Sequence, residues 1–117
     1  MDKIGAIAAL GALAQSTRLE TFRRLVQHEP GGIPAGELAR LIDVPQNTMS
    51  AHLATLARAG LVKSERQSRS IIYRADLEGL RALTLFLLKD CCGGATELCA
   101  PLIAELTPCR CQEAEAL

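Results

Sequence analysis

Aromatic side chains, histidines and long apolar runs are scarce in this chain of 117 residues. It has two Phe, one Tyr and no Trp, so its core must come mainly from Leu, Ile, Val and Ala, which favours helices over a sandwich or barrel. No apolar run is long enough to span a bilayer. The apolar stretch from Ile4 to Ala14 lacks the basic segment and cleavage pattern of a signal peptide. We therefore expect a small cytoplasmic protein without membrane contact.

Cysteine is absent from the first ninety residues, and all five cysteines follow them. They form two clusters: Cys91, Cys92 and Cys99, then Cys109 and Cys111. An odd number of cysteines without a secretory signal indicates a reducing compartment, with free thiols or metal ligands rather than disulfides. This segregation predicts a folded domain over residues 1–90 and a cysteine-containing segment and tail over residues 91–117.

Net charge is zero overall, but it is divided along the chain. Residues 45–75 carry five basic residues and one acid, a net charge of +4, whereas residues 76–117 carry three basic residues and seven acids, a net charge of −4. A basic middle beside an acidic end is typical of a local face that binds a polyanion.

Proline and glycine, which interrupt helices, divide the first sixty residues into four predicted helices. Residues 3–14 are apolar on nearly every side, which predicts a helix buried all round. Ser16 is expected to cap a second helix, and Pro34 to begin a short third one. A fourth helix is predicted from Pro45 to Ala59, ended by Gly60.

The second half of the domain changes period. Residues 61–66 and 70–74 are short and partly β-branched, which predicts a hairpin. Asp76 is expected to cap a long leucine-rich helix that ends at Gly93-Gly94. The fold class predicted is mainly α: a winged helix-turn-helix with about five helices and a two-stranded β-hairpin wing. Because its first and last helices are too apolar to face water, we expect a homodimer.

The helix from Pro45 to Ala59 has two different faces. At 100° per residue, Met49, Leu53, Leu56 and Gly60 fall together and should pack inward. The opposite face has short side chains and uncharged hydrogen-bonding groups, with a single arginine at its far end. Such a face allows a helix to enter the major groove of DNA. The predicted DNA-contacting residues are Gln46, Asn47, Thr48, Ser50, His52 and Arg58 of this helix, with Arg66 and Arg69 of the wing and, as weaker candidates, Lys63 and Arg74. For His52 the alternative is a role in orienting the helix.

The motif Ser50-Ala51-His52-Leu53, followed by Leu56, residues 59–62, Arg66, Arg69 and Tyr73, resembles the signature of the ArsR/SmtB family of metal-sensing bacterial repressors. The resemblance runs from about residue 13 to residue 88. It implies a homodimer joined through its first and last helices, which binds double-stranded operator DNA and leaves it when an inducer binds.

Most of the sensor positions that the family uses carry no metal-binding residue in this chain. The helix before the recognition helix lacks Cys-x-Cys, the last helix lacks histidine, and the recognition helix lacks cysteine. The remaining segment, Cys91-Cys92 with Cys99, resembles a branch of arsenite sensors. As(III) and Sb(III) are soft and favour three thiolates, and Gly93-Gly94 allows the chain to bend there. A methylated As(III) needs only two thiols. No constitutive cofactor is expected, and Cys109 and Cys111 form a candidate accessory pair.

Several other readings of the cysteines stay open. The same fold with a redox or reactive-sulfur switch is one, and a cadmium or zinc sensor using Cys99, Cys109 and Cys111 is another. A thiol enzyme such as an arsenate reductase is disfavoured, because the chain has no phosphate-cradling loop and no histidine near the thiols. A protein–protein adaptor would leave the alanine-rich polar helix unexplained.

Overall fold

The computed structural model describes residues 1–90, which form five α-helices and three strands. The helices are Lys3–Leu13 (α1), Ser16–Gln27 (α2), Ala35–Ile42 (α3), Gln46–Arg58 (α4) and Leu77–Leu85 (α5); the strands are Ile33–Pro34 (β1), Val62–Gln67 (β2) and Ser70–Ala75 (β3); a π-helical turn, Phe86–Asp90, follows α5. The chain divides into two compact units, residues 1–82 and a second that begins at Leu83. Helices α1 to α4 and the whole sheet belong to the first unit.

The predicted hairpin is confirmed, and it belongs to a sheet of three strands rather than two. The strand order is β1-β3-β2, with both neighbouring pairs antiparallel. Strand β1 has two residues, with Ile33 opposite Tyr73 and Pro34 opposite Ile72. A segment this short carries no alternation that a sequence pattern can reveal. Because Pro34 belongs to this strand, it precedes α3 as its N-cap instead of being the first residue of the helix, as predicted.

The centre of the core of the first unit contains apolar side chains from α2, α3 and α4 and from Leu61, which precedes β2. The side chains of Leu25, Leu38, Met49, Leu53, Leu56 and Leu61 have no exposed surface. The buried hydroxyl of Thr21 donates to the carbonyl of Thr17 at 2.8 Å, so its burial leaves no unsatisfied polar group. This packing holds the buried face of the recognition helix α4 against the rest of the first unit.

Helix α1 is not buried all round, contrary to expectation. Its small residues Ala6, Ala9 and Ala12 are the buried ones, whereas Ile4 is 78% exposed and Ile7 60% exposed. The helix contacts α2 and α4 through its alanine side. Within one chain, α1 therefore presents its largest apolar side chains outward.

Two helix caps test the sequence prediction. Ser16 is the first residue of α2 rather than its cap, because Gln15 precedes the helix and its Oε1 accepts from the Arg18 amide at 2.9 Å. Asp76 does cap α5: its Oδ1 accepts from the Gly79 amide at 3.3 Å. Among residues 1–90, no helix is long and apolar enough to cross a membrane.

Candidate nucleic-acid interface

The turn between α3 and α4 sets the angle of a helix-turn-helix. Asp43 ends α3 in the left-handed conformation, with φ 65°. The Val44 amide donates back to the Ala39 carbonyl at 3.0 Å. Pro45 then has φ −61° and ψ 150°, which starts α4 in a new direction. Helix α3 packs against α4, so this tight turn holds the second helix on the surface.

Helix α4 has the two faces that its sequence predicts. Met49, Leu53 and Leu56 are buried. Seven of the predicted DNA-contacting residues are exposed: Gln46, Asn47, Thr48, Ser50 and Arg58 on α4, and Arg66 and Arg69 on the wing. The exposed face also contains three alanines, at positions 51, 54 and 57, which keep it slim enough for a major groove.

Polar side chains on the exposed face differ in how free they are. The Asn47 Oδ1 accepts from the Thr48 amide at 2.9 Å, which leaves the amide group of Asn47 as a donor. Arg58 donates to Thr55 Oγ1 at 3.4 Å. Thr55 itself donates to the Ala51 carbonyl at 3.2 Å. The end of α4 therefore holds its arginine against the helix surface.

Gly60 ends α4 as predicted, but it does not pack inward with the core residues. It is exposed and takes φ +82°. Its amide donates to Ala57 at 3.0 Å, and the Leu61 amide donates to Leu56 at 3.0 Å. These two bonds satisfy the last carbonyls of the helix in a Schellman arrangement, which needs a left-handed residue at this position.

The start of α5 rests on the end of α4. The Asp76 amide donates to the Leu61 carbonyl at 2.8 Å. Gly79 lies so close to the carbonyl of Gly60 that any side chain at position 79 would collide with it. The first turn of α5 therefore contacts the residues that follow α4 through backbone atoms.

His52 faces away from the exposed surface and contacts a side chain of α2. It is half-buried, and its Nδ1 lies 3.4 Å from a guanidinium nitrogen of Arg18. Arg18 also donates to the carbonyl of Ala12 at 2.7 Å. Burial lowers the pKa of His52 and the charge of Arg18 lowers it further, so the ring is neutral at pH 7 and accepts from Arg18. This geometry favours the orienting role of His52 over direct contact with DNA.

We expect duplex affinity to fall several-fold on acidification from about pH 7.5 to about pH 5.5, because protonated His52 no longer accepts from Arg18. The folded domain is expected to lose stability over the same range. In the unfolded chain the histidine has its ordinary pKa of 6.5, so it binds a proton at a pH at which the folded site does not. The contribution of neutral His52 to the free energy of unfolding is therefore complete above pH 6.5 and is lost as the pH falls through the lowered pKa of the folded state. Fluorescence anisotropy and urea unfolding across this pH range measure both effects.

The two histidines of the chain allow a matched control for that experiment. His52→Gln keeps an acceptor without a titratable proton and should flatten the pH profile, whereas His28→Gln should leave it unchanged. Affinity that instead rises on acidification, and does so only when His52 is present, would make His52 a phosphate contact.

Arg74, a weaker candidate for DNA contact, is held by two carboxylates in the folded domain. It donates to Glu29 at 2.7 Å and to Glu65 at 2.8 Å, and hydrogen bonding to Arg74 is the largest of the causes that lower the pKa of Glu29. The two carboxylates neutralise this arginine and tie the wing to the end of α2. The positive charge that remains on the wing comes from Lys63, Arg66 and Arg69, which are exposed.

No group of three or more His, Cys, Asp or Glu side chains within residues 1–90 is arranged to hold a metal ion. The predicted sensor cysteines Cys91, Cys92 and Cys99, and the accessory pair Cys109 and Cys111, lie outside the described residues.

Comparison with known proteins agrees with this architecture. A family model described as a helix-turn-helix domain matches residues 13–65. The transcriptional activator HlyU of Vibrio cholerae is 29% identical over 87 residues, which cover 74% of this chain and 78% of that protein. Two further curated regulators match over 54% and 53% of their own length.

Solved structures show the same fold. A homodimeric winged helix-turn-helix domain from Mycobacterium bovis, described as a possible ArsR-family regulator, aligns with a TM-score of 0.60 and 26% identity over 71% of this chain and 75% of its own. A structure described as a possible transcriptional regulator for arsenical resistance aligns with a TM-score of 0.59 and 29% identity over 68% of this chain and 79% of its own. Fold, exposed helix and relatives together make the chain a winged helix-turn-helix protein similar to transcriptional regulators of the ArsR family.

Proposed function

We propose that the chain is an arsenite- or antimonite-responsive repressor that binds operator DNA as a homodimer in the cytoplasm. As(III) or Sb(III), or a methylated As(III), acts as inducer by binding Cys91, Cys92 and Cys99, and the dimer then leaves the duplex. The observation that carries the proposal is the separation of functions along the chain. Within residues 1–90, α4 and the wing expose polar and basic side chains, and every cysteine comes after residue 90.

The exposed face of α4 and the wing support DNA binding. Gln46 and Asn47 carry amides that pair with adenine edges, while Ser50 and Thr48 suit phosphates or bases. All four are exposed at the start of the helix, where recognition helices of this class reach the bases. Exposed arginines on the wing add the salt-dependent part of the affinity.

The outward face of α1 supports a homodimer. Ile4, Ile7 and Leu10 lie on one side of the helix and are 78%, 60% and 44% exposed in the single chain. A contiguous apolar stripe of this kind is rarely left in water. The exposed Gly11 falls on the same side, where a small residue allows a second helix to approach. The last helix, which begins at Leu77, is proposed to complete the interface, and two recognition helices held in this way meet half-sites about 34–36 Å apart or a multiple of that.

The chemistry of the thiols supports a soft inducer. Neutral thiols condense with the hydroxyl groups of arsenous acid, so that each As–S bond formed replaces an As–O bond and releases one water. The relative described as a possible regulator for arsenical resistance is consistent with this choice.

Coupling between sensor and DNA is proposed to run through the last helix. The described chain ends in a π-helical turn at Asp90, directly before Cys91. A π-helical turn is a place where a helix changes its register without breaking. At its other end, α5 rests on the Gly60 carbonyl behind the recognition helix. Gathering three sulfurs on one ion would bend the helix end and thereby shift α4.

A titration of the protein bound to a labelled fragment of its own promoter tests the proposal. Arsenite, antimonite and methylarsenite are expected to release the duplex at concentrations at which cadmium and zinc do not. Peroxide is not expected to cause a release of the duplex that a thiol reductant reverses. Release by peroxide alone would favour the redox switch, and release by cadmium or zinc alone would favour the metal sensor. A protein that selects no duplex from a random pool is not a DNA-binding regulator.

A further inference from the structure

An open cleft separates the recognition helix from the wing. Its volume is about 380 Å³, and it lies entirely within the first compact unit. The floor consists of Pro34, Ala35 and Gly36, where β1 leads into α3. Gln46 and Ser50 line one wall, and the β3 side contributes Arg69, Ser70, Ile71 and Tyr73.

DNA geometry specifies what passes between a helix in one groove and a hairpin in the next. The major groove and the adjoining minor groove are separated by one sugar–phosphate strand. A protein that places α4 in the major groove and the wing tip over the neighbouring groove must therefore straddle that strand. In this fold the space between those two elements is the cleft.

The lining of the cleft suits an anion. Arg69 supplies a positive charge, and Ser50, Ser70 and Tyr73 bring three hydroxyl groups. No Asp or Glu is among the lining residues. The two acids of the neighbouring strand and loop, Glu65 and Glu29, are bound to Arg74. A phosphate in the cleft would therefore meet donors and no unpaired carboxylate of the lining.

We propose that this cleft seats one backbone phosphate of the bound duplex, with Arg69, Ser70 and Tyr73 as contacts in addition to Ser50. The proposal rests on the proposed DNA binding and makes it more specific. It assigns to Tyr73 and Ser70 a contact with the DNA backbone, and to Gly36 the role of leaving room for it. A seated phosphate fixes how far the recognition helix enters the groove, so it contributes position rather than base choice.

Gly36→Asp separates DNA binding from folding. A Cβ at position 36 meets the nearest atom, Gln46 Oε1, at 3.6 Å, an ordinary contact, so a side chain fits there. An acid in the first turn of α3 is favoured by the helix dipole, and removing glycine from a helix favours folding. We therefore expect a melting temperature at or above that of the unaltered protein. Duplex affinity is expected to fall about tenfold or more, and the slope of log K against log salt to lose about 0.9, the share of one phosphate.

Ser16→Asp is the matched control. It makes the same change in charge in the first turn of α2, outside the cleft, and should leave both affinity and salt slope unchanged. Tyr73→Phe is the second cleft variant, since it removes one hydroxyl group and keeps the ring. It is expected to weaken binding about threefold to tenfold, in the range of one lost hydrogen bond.

The probe is a duplex selected by the unaltered protein from a random pool, with single phosphates replaced in turn by neutral methylphosphonates. At one position on each half-site, the methylphosphonate should lower the affinity of the unaltered protein. The same replacement should not lower the affinity of Gly36→Asp or Tyr73→Phe any further. If the protein selects duplexes but both variants bind them with the original affinity and salt slope, the cleft holds no phosphate. If no duplex is selected at all, the proposed function itself fails.

Discussion

Replacement of Cys91, Cys92 or Cys99 by Ser is expected to abolish the release of DNA by arsenite. A serine oxygen is a hard, weakly acidic ligand that does not replace a thiolate on a soft ion, and loss of one of three sulfurs leaves an incomplete pyramid. A coupling free energy of about 1–3 kcal/mol is typical of such linkage, which corresponds to a roughly 5- to 150-fold change in duplex affinity on adding inducer. In a gel-shift titration, each variant should have nearly the same duplex affinity with and without inducer.

Several controls sharpen the cysteine experiment. Cys109→Ser and Cys111→Ser make the same chemical change in the second cluster and should retain most of the response if that pair is accessory. A methylated arsenical, which has two exchangeable positions, should still release the Cys99→Ser protein. Release by arsenite that survives all three substitutions at positions 91, 92 and 99 would refute the proposed sensor. Loss of the response in Cys109→Ser or Cys111→Ser alone would move the site to the tail.

Ile7→Glu is expected to give a monomer with at least a hundredfold weaker affinity for a two-half-site duplex. Ile7 is 60% exposed at the middle of the outward stripe of α1, and Ala6 and Ala9 on the other side make the contacts within the chain. Burial of an isoleucine contributes about 1.5–3 kcal/mol, and a symmetric interface buries it twice. A charge there must be desolvated against its own copy, which adds repulsion. Sedimentation velocity measures the association state, and anisotropy measures the affinity.

Leu41→Glu is the control for that substitution. Leu41 is also an exposed apolar residue, at 41%, but it lies on α3, away from the outward face of α1. The same change in size and charge there should leave the dimer intact. Circular dichroism of both variants should show the unaltered helix content. A dimer that survives Ile7→Glu would place the subunit interface elsewhere.

Local patterns in the sequence were enough to predict the recognition helix and the wing. The inward position of Met49, Leu53 and Leu56 follows from the 3.6-residue period, because a half-buried helix repeats its apolar residues at that spacing. Gly60 predicted the end of the helix, since a left-handed residue completes its last hydrogen bonds. The segregation of the cysteines beyond residue 90 is also a property of the sequence alone.

Tertiary packing decided what those patterns leave open. An apolar helix such as α1 has no preferred side, so only its neighbours determine that the alanines pack inward and Ile4 and Ile7 face outward. Strand β1 exists because β3 pairs with two residues that have no strand pattern of their own. Each of these outcomes depends on a partner distant in sequence.

The polar contacts around the interface show the same division. The charge of Arg74 is visible in the sequence, but its bond to Glu29 joins residues 45 positions apart. His52 is likewise an ordinary surface candidate until the fold places Arg18, 34 positions away, beside its ring. The sequence therefore determined which face of α4 is apolar and where along the chain the cysteines stand, because both depend on local order. Only the folded chain determined which charges are paired and where the cleft between α4 and the wing lies, because those depend on atoms that folding alone brings together.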